Sequence, residues 1–276
     1  MKKILFTSVA ALAFATSAFA QGTVTVAVGQ EGRGYEAFGK QIVERLGTRM
    51  PAAIANYEGS DDISRAVCDG AADIGIMQID AIYTRQKEGC RLRVVGTYGE
   101  EFAYLLVPAN GKYSSLSSFD SNARVLVDTV GSGTDLFWHT INTIETGEDG
   151  NSSSWSKAQS INDPIFIADT MAELGEIDAV LMVTTPTSVE LKGLIDAGWE
   201  LVDLYDKDIN DEVFNGDSLY PAQDAEVAGT GGFFSGNADA NSYVVRSFVV
   251  VSDTIAKDRR AFADVALAVK SVAAAR

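Results

Sequence analysis

One histidine and two cysteines in 276 residues leave little material for metal or nucleophile chemistry. A His-rich zinc site cannot be built from a single imidazole. A Ser/His/Asp arrangement would have to use His139, which falls in the apolar stretch Leu136-Phe137-Trp138-His139 of an expected helix. No G-x-S-x-G elbow occurs, no Gly-Lys-Ser/Thr follows a glycine loop, and the G-x-G-x-x-G spacing is missing. Carboxylates are plentiful, but no spacing singles out a catalytic pair. Positive charge is scarce as well. Twenty-two Lys and Arg stand against 38 Asp and Glu, a formal net charge of −16. A surface that acidic repels phosphate backbones and anionic lipid, which argues against nucleic acid and membrane-surface partners. Beyond residue 20 no run of ~20 apolar residues occurs, so no membrane span is expected. The reading is therefore of a chain with no cofactor and no enzymatic role.

The first 20 residues have the form of an export signal. Lys2 and Lys3 precede an apolar run, and Ala18-Phe19-Ala20 places small residues at the −3 and −1 positions before Gln21. No cysteine follows the cleavage site, so a free periplasmic protein without a lipid anchor is expected. In an oxidising compartment, Cys68 and Cys90 are read first as a disulfide closing a 22-residue separation. A metal or redox pair, the alternative, lacks partners and the C-x-x-C spacing.

Strand-like and helix-like patterns alternate along the remainder, long enough for two lobes and with an apolar content of 46%. Tyr35, Phe38, Ile42 and Leu46 recur on one helix face. Strands are expected near 23–28, 53–57, 73–77, 93–97 and 102–107, with helices between the first four. The breaker Pro108-Ala109-Asn110-Gly111 is taken as the first passage between lobes. A second alternation follows, with strands at 124–128, 164–167 and 177–183 and helices at 133–144, 169–175 and 186–197. Strands at 226–235 and 243–251 and one long helix over 255–275 close the chain. The expected fold class is α/β, with each lobe a mostly parallel sheet flanked by helices. Residues 21–107 and 220–276 are assigned to one lobe and 108–219 to the other.

Open α/β sheets hold ligands at the carboxyl ends of their strands. Four such junctions have unusual composition here. They are Gly29-Gln30-Glu31-Gly32-Arg33-Gly34-Tyr35, then Glu58-Gly59-Ser60-Asp61, Gln78-Ile79-Asp80, and Gly131-Ser132-Gly133-Thr134. Glycines admit close backbone approach, and free helix N–H groups with a Ser or Thr hydroxyl suit an anionic oxygen. Ser60 and Thr134 also read as plain N-caps. Arg33 is either a counter-charge or a solvated loop cation, and Tyr35 either a lid or a core residue. Asp61, Asp62 and Asp135 place acid in the first turns of two of these helices, in competition with an anionic ligand.

Together these loops, with Asp69-Gly70-Ala71-Ala72-Asp73-Ile74-Gly75-Ile76-Met77-Gln78-Ile79-Asp80, Gly175-Glu176-Ile177-Asp178-Ala179, Val183-Thr184-Thr185-Pro186 and Tyr220-Pro221, resemble the TAXI-type receptors of tripartite (TRAP) transporters, within the type II periplasmic binding proteins. The stretch 229–241 departs from that pattern. The resemblance implies two lobes linked by crossover segments, a cleft that closes on a glutamate-like amino acid or small carboxylate, and delivery to a membrane permease. A sensor subunit working with a membrane kinase would use the same cleft. A monomer is expected. The candidate ligand-binding residues are Arg33, Gly34, Tyr35, Gly59, Ser60, Gln78, Asp80, Gly131, Ser132, Gly133 and Thr134, joined through the resemblance by Thr184 and Thr185. Asp80 is assigned to a ligand ammonium.

Overall fold

The computed structural model describes residues 22–147, 152–231 and 236–276. The expected leader lies outside these residues, as does the centre of the atypical 229–241 stretch. Among the described residues, no helix is long and apolar enough to cross a membrane.

The chain opens with β1 (Val24–Val28), α1 (Gly34–Leu46), β2 (Ala52–Asn56), α2 (Ser60–Cys68), β3 (Ile74–Gln78) and α3 (Ile79–Lys87). β1 pairs in parallel with both β2 and β3. Its run of Val and Ala suits a strand covered on both faces. α1 buries Phe38, Ile42 and Leu46 against that sheet. Gly39 is what lets the helix sit so low, since a Cβ there would lie 2.4 Å from Val28 Cγ1. The Cys68–Cys90 disulfide is formed, with Cα atoms 5.8 Å apart, and ties the end of α2 to the turn after α3. Closing that loop restricts the unfolded chain by ~3 kcal/mol.

β4 (Arg93–Pro108) follows as one strand of 16 residues, where two strands were expected. Then come β5 (Arg124–Leu126), α4 (Gly133–Glu145), β6 (Gln159–Ile161), α5 (Ala168–Glu173), β7 (Ala179–Thr184), α6 (Val189–Asp196) and β8 (Trp199–Val202). The expected strand at 164–167 is instead a short 3-10 turn over Ile165–Ile167, and the strand is β6 just before it. β5 pairs in parallel with β6 and β7, giving a second parallel group. The tail comprises α7 (Lys207–Asp211), the small hairpin β9 (Val213–Phe214) with β10 (Asp217–Ser218), β11 (Ala222–Val227), β12 (Ala238–Val251), α8 (Asp253–Lys257) and α9 (Arg259–Ala273). The single helix expected over 255–275 is broken because the Asp258 carboxylate accepts from the N–H groups of Arg260 and Ala261 and starts a new helix.

Two groups of strands, β2-β1-β3 and β7-β5-β6, are joined by the long antiparallel strands β12 and β4 into one continuous sheet. The first part of β4 pairs with β12, while Phe102–Leu106 pair with β7 and Leu105–Pro108 with β8. The chain thus enters the second group inside β4, upstream of the Pro108–Gly111 breaker. β11 packs Ala225 and Val227 with Tyr104, Leu106, Val180 and Met182 of the second group. Residues 222–227 therefore sit with the second lobe's core, and the return runs through β12. Under the junction one core joins both halves, with Ile79 and Tyr83 of α3 packed among Phe137, Trp138, Tyr220 and Tyr243.

Candidate functional site

A cleft of about 620 Å³ opens where the strand ends of the two groups face each other. From the first lobe it is lined by Arg33, Gly34 and Tyr35 at the start of α1, Gly59 and Ser60 at the start of α2, and Gln78 at the end of β3. The second lobe contributes Ser132, Gly133 and Thr134 at the start of α4, with Thr184 and Thr185 at the end of β7. Eleven of the thirteen candidates from the sequence are thereby brought to one cavity. Gly131 is not among the lining residues. Its carbonyl oxygen would lie 2.1 Å from a Cβ at Gly59, so the two loops approach across the cleft as only a glycine permits. Gly133 is spared a side chain for a similar reason, because a Cβ there would meet the Gln78 amide at 2.4 Å.

Asp80 is not in the cleft. It is fully buried, accepts from Ala81 N at 2.9 Å and from the Tyr220 hydroxyl at 3.2 Å, and so cannot meet a ligand ammonium as expected. Burial pushes its carboxyl up to about 7. In the first turn of α3, its side chain folds toward the return segment rather than toward the strand end.

Several of the expected hydroxyls and N–H donors have partners within the chain. Ser60 Oγ accepts from Gln78 N at 3.1 Å. Ser132 Oγ caps α4 by accepting from Asp135 N at 3.1 Å. Thr134 Oγ1 accepts from Val183 N at 2.9 Å, pinning α4 to β7 beyond the end of β5. The glycine loops have filled their own anion sites. Gly32 N donates to Glu36 at 2.9 Å, and Gly131 N donates to Asp135 at 2.9 Å. Each is a carboxylate four residues on, inside the positive end of its helix. His139 sits one turn further along α4 beside Asp135, whose carboxylate raises the imidazole to about 9, and it does not line the cleft.

Sequence reasoning missed the floor. Tyr98 and Glu101, both in β4, line the cleft. Ser247 pairs with Gly99 and Phe248 with Thr97, which leaves Tyr98 as the extra residue of a bulge. Such an insertion redirects a side chain, here against Tyr35 with ring centroids 4.8 Å apart. Glu101 accepts from Gln78 Nε2 at 3.2 Å and has a longer 3.5 Å contact with Ser247 Oγ, which also bonds the Tyr35 hydroxyl at 2.7 Å. Burial raises the Glu101 carboxyl above the usual range. Asp128, Thr129, Glu190 and the turn Pro164-Ile165-Phe166 complete the second wall. The available signal for Glu101 is a pair of acids, Glu100-Glu101, in the short gap between the strands expected at 93–97 and 102–107.

No family model matches the sequence, and no curated protein is similar to it. Solved structures are similar in shape. The alkanesulfonate-binding protein SsuA from Xanthomonas axonopodis pv. citri bound to MOPS is 13% identical, with a TM-score of 0.52 over 91% of this chain and 72% of that one. The GluR0 ligand-binding core in complex with L-glutamate is 11% identical, with a TM-score of 0.53 over 92% and 93%. A Xanthomonas citri protein bound to ATP is 9% identical, with a TM-score of 0.56 over 89% and 81%. At these identities the likeness concerns architecture alone. The chain has the two-lobed α/β fold of type II periplasmic binding proteins.

Proposed function

We propose that this protein is an exported solute receptor, which takes up one small organic molecule between its lobes and releases it unchanged to a membrane partner. The observation that carries this reading is the shape of the site. Both lobes contribute backbone loops and helix starts to one cavity of about 620 Å³, a size suited to a small organic ligand. The absence of chemistry is supported by the hydroxyls of the lining. Among the described residues none of Ser60, Ser132, Thr134, Thr184, Thr185 or Ser188 is hydrogen-bonded to the only histidine.

The finer reading follows the resemblance of the sequence to TAXI-type receptors. It makes a TRAP-type permease the recipient and an amino acid or carboxylate the cargo, with a membrane sensor as the alternative recipient. Arg33 on the cleft wall supports a carboxylate group on the cargo, whereas the neighbouring acids weigh against a simple anion. Export through the leader, a periplasmic location and a monomeric state belong to the same proposal.

Closure is the test. Small-angle scattering on protein stripped of bound solute by partial unfolding and refolding should show a smaller radius of gyration once the solute released in stripping is added back. A radius that stays the same at saturation removes the clamp and the receptor reading with it.

A further inference from the structure

The charges around the cleft are lopsided. Among the described residues Arg33 is the single cation on its lining, against Glu58, Glu101, Asp128 and Glu190. The helix starts that would normally draw an anion are already neutralised by Glu36 and Asp135, which take the loop N–H groups themselves. Arg33 lies within electrostatic reach of Asp128, so even that cation faces a carboxylate.

The deepest part is more specific. Gln78 is 3% exposed, and its Oε1 has no hydrogen-bond partner. Its amide is oriented by Glu101, because only Nε2 can donate to a carboxylate. The free acceptor is therefore fixed in place beside a half-buried acid that forms no ion pair among the described residues. A buried amide oxygen without a partner is costly unless something donates to it, and a half-buried carboxylate beside it gains from the same donor. Next to them, Tyr35 packs edge to face against Tyr98, whose own ring already carries the Arg276 guanidinium 4.7 Å from its centroid.

Resting on the receptor reading, we propose that the solute carries a protonated nitrogen group, an ammonium or amidinium, that donates to Glu101 and to Gln78 Oε1, and that amine-free anions are not ligands. This moves the ammonium seat from Asp80, where the sequence alone puts it, to the floor formed by β3 and β4.

Calorimetry on the purified protein tests it with putrescine, lysine, arginine, glutamine and glutamate against succinate and 2-oxoglutarate, for the wild type and Glu101→Gln. Amines are expected to bind, the cationic ones most tightly, and the two amine-free acids not at all. Glu101→Gln should weaken amine binding by roughly tenfold to a hundredfold, the loss typical of a hydrogen bond to a charged group. An unchanged or higher melting temperature of the unliganded variant shows that it is folded. Succinate or 2-oxoglutarate binding as tightly as any amine overturns the proposal and leaves the receptor reading intact. So does amine binding that Glu101→Gln leaves unchanged. If none of the seven binds, the proposal falls, and the scattering experiment decides separately on the receptor.

Discussion

Asp80 has no exposed surface, and burial holds its carboxyl up at about 7, against 3.8 for the unperturbed group. A folded-state value above the unfolded one means that its stability contribution is complete below pH 3.8 and is lost as the pH rises through about 7. Above that, the protein holds a buried negative charge at a cost on the order of 4 kcal/mol. Asp80→Asn keeps an acceptor for Ala81 N and removes the charge. The variant should melt roughly 5 °C or more above the wild type at pH 8, with the gain shrinking toward pH 4, when followed by circular dichroism. Its solute affinity should match the wild type, because the side chain faces Tyr220 and not the cleft. Position in the chain puts Asp80 just after β3, in the first turn of α3, but does not say which way its side chain turns. Glu101 shows the converse. The sequence offers Gly99-Glu100-Glu101 as a break between strands, and only the pairing of β4 with β12 reveals that Glu101 lies on the face above Gln78.

Helix α4 is held at its start by two hydroxyls that the sequence offers to a ligand, Thr134 also as a plain N-cap. Ser132 caps it, and Thr134 bonds the backbone of β7. Ser132→Ala should cost ~1 kcal/mol, the usual value for a lost cap. Thr134→Val keeps the shape but strands the Val183 N–H in the wall, a loss of about 1–3 kcal/mol. Urea unfolding of the unliganded proteins should rank wild type above Ser132→Ala and Ser132→Ala above Thr134→Val. If both variants unfold like the wild type, these hydroxyls serve the ligand alone. The elements themselves were legible wherever apolar spacing repeated. The faces of α1 and α9, the buried β1 and β3 and the glycine-rich junctions all follow from local pattern. Strand β4 was not legible as one element, because its charged middle is paired only through residues some 140 positions away, beyond any local window.

At the scale of the whole molecule, the contact between Gly59 and Gly131 sets how nearly the lobes can approach. A methyl group at residue 59 would lie 2.1 Å from a carbonyl oxygen of the facing loop, and backbone on both sides gives way poorly. Gly59 itself is extended, with φ −168°, so alanine brings no strain of its own. Gly59→Ala should fold normally, lose roughly tenfold or more in solute affinity, and keep the larger radius of gyration when solute is added. Closure to the wild-type radius would show that the loops yield. The way the lobes are connected bears on the same motion. They are not strung on loose linkers, since β4 and β12 run through the junction hydrogen-bonded to each other, with register shifts at Ser247/Phe248 and Val249/Val250. Such a connection behaves as a leaf spring rather than a door hinge. Its resting angle is written into backbone pairing and bulges, so on the receptor reading opening and closing would bend a paired ribbon, and the gape would be set by hydrogen bonds rather than by a slack linker.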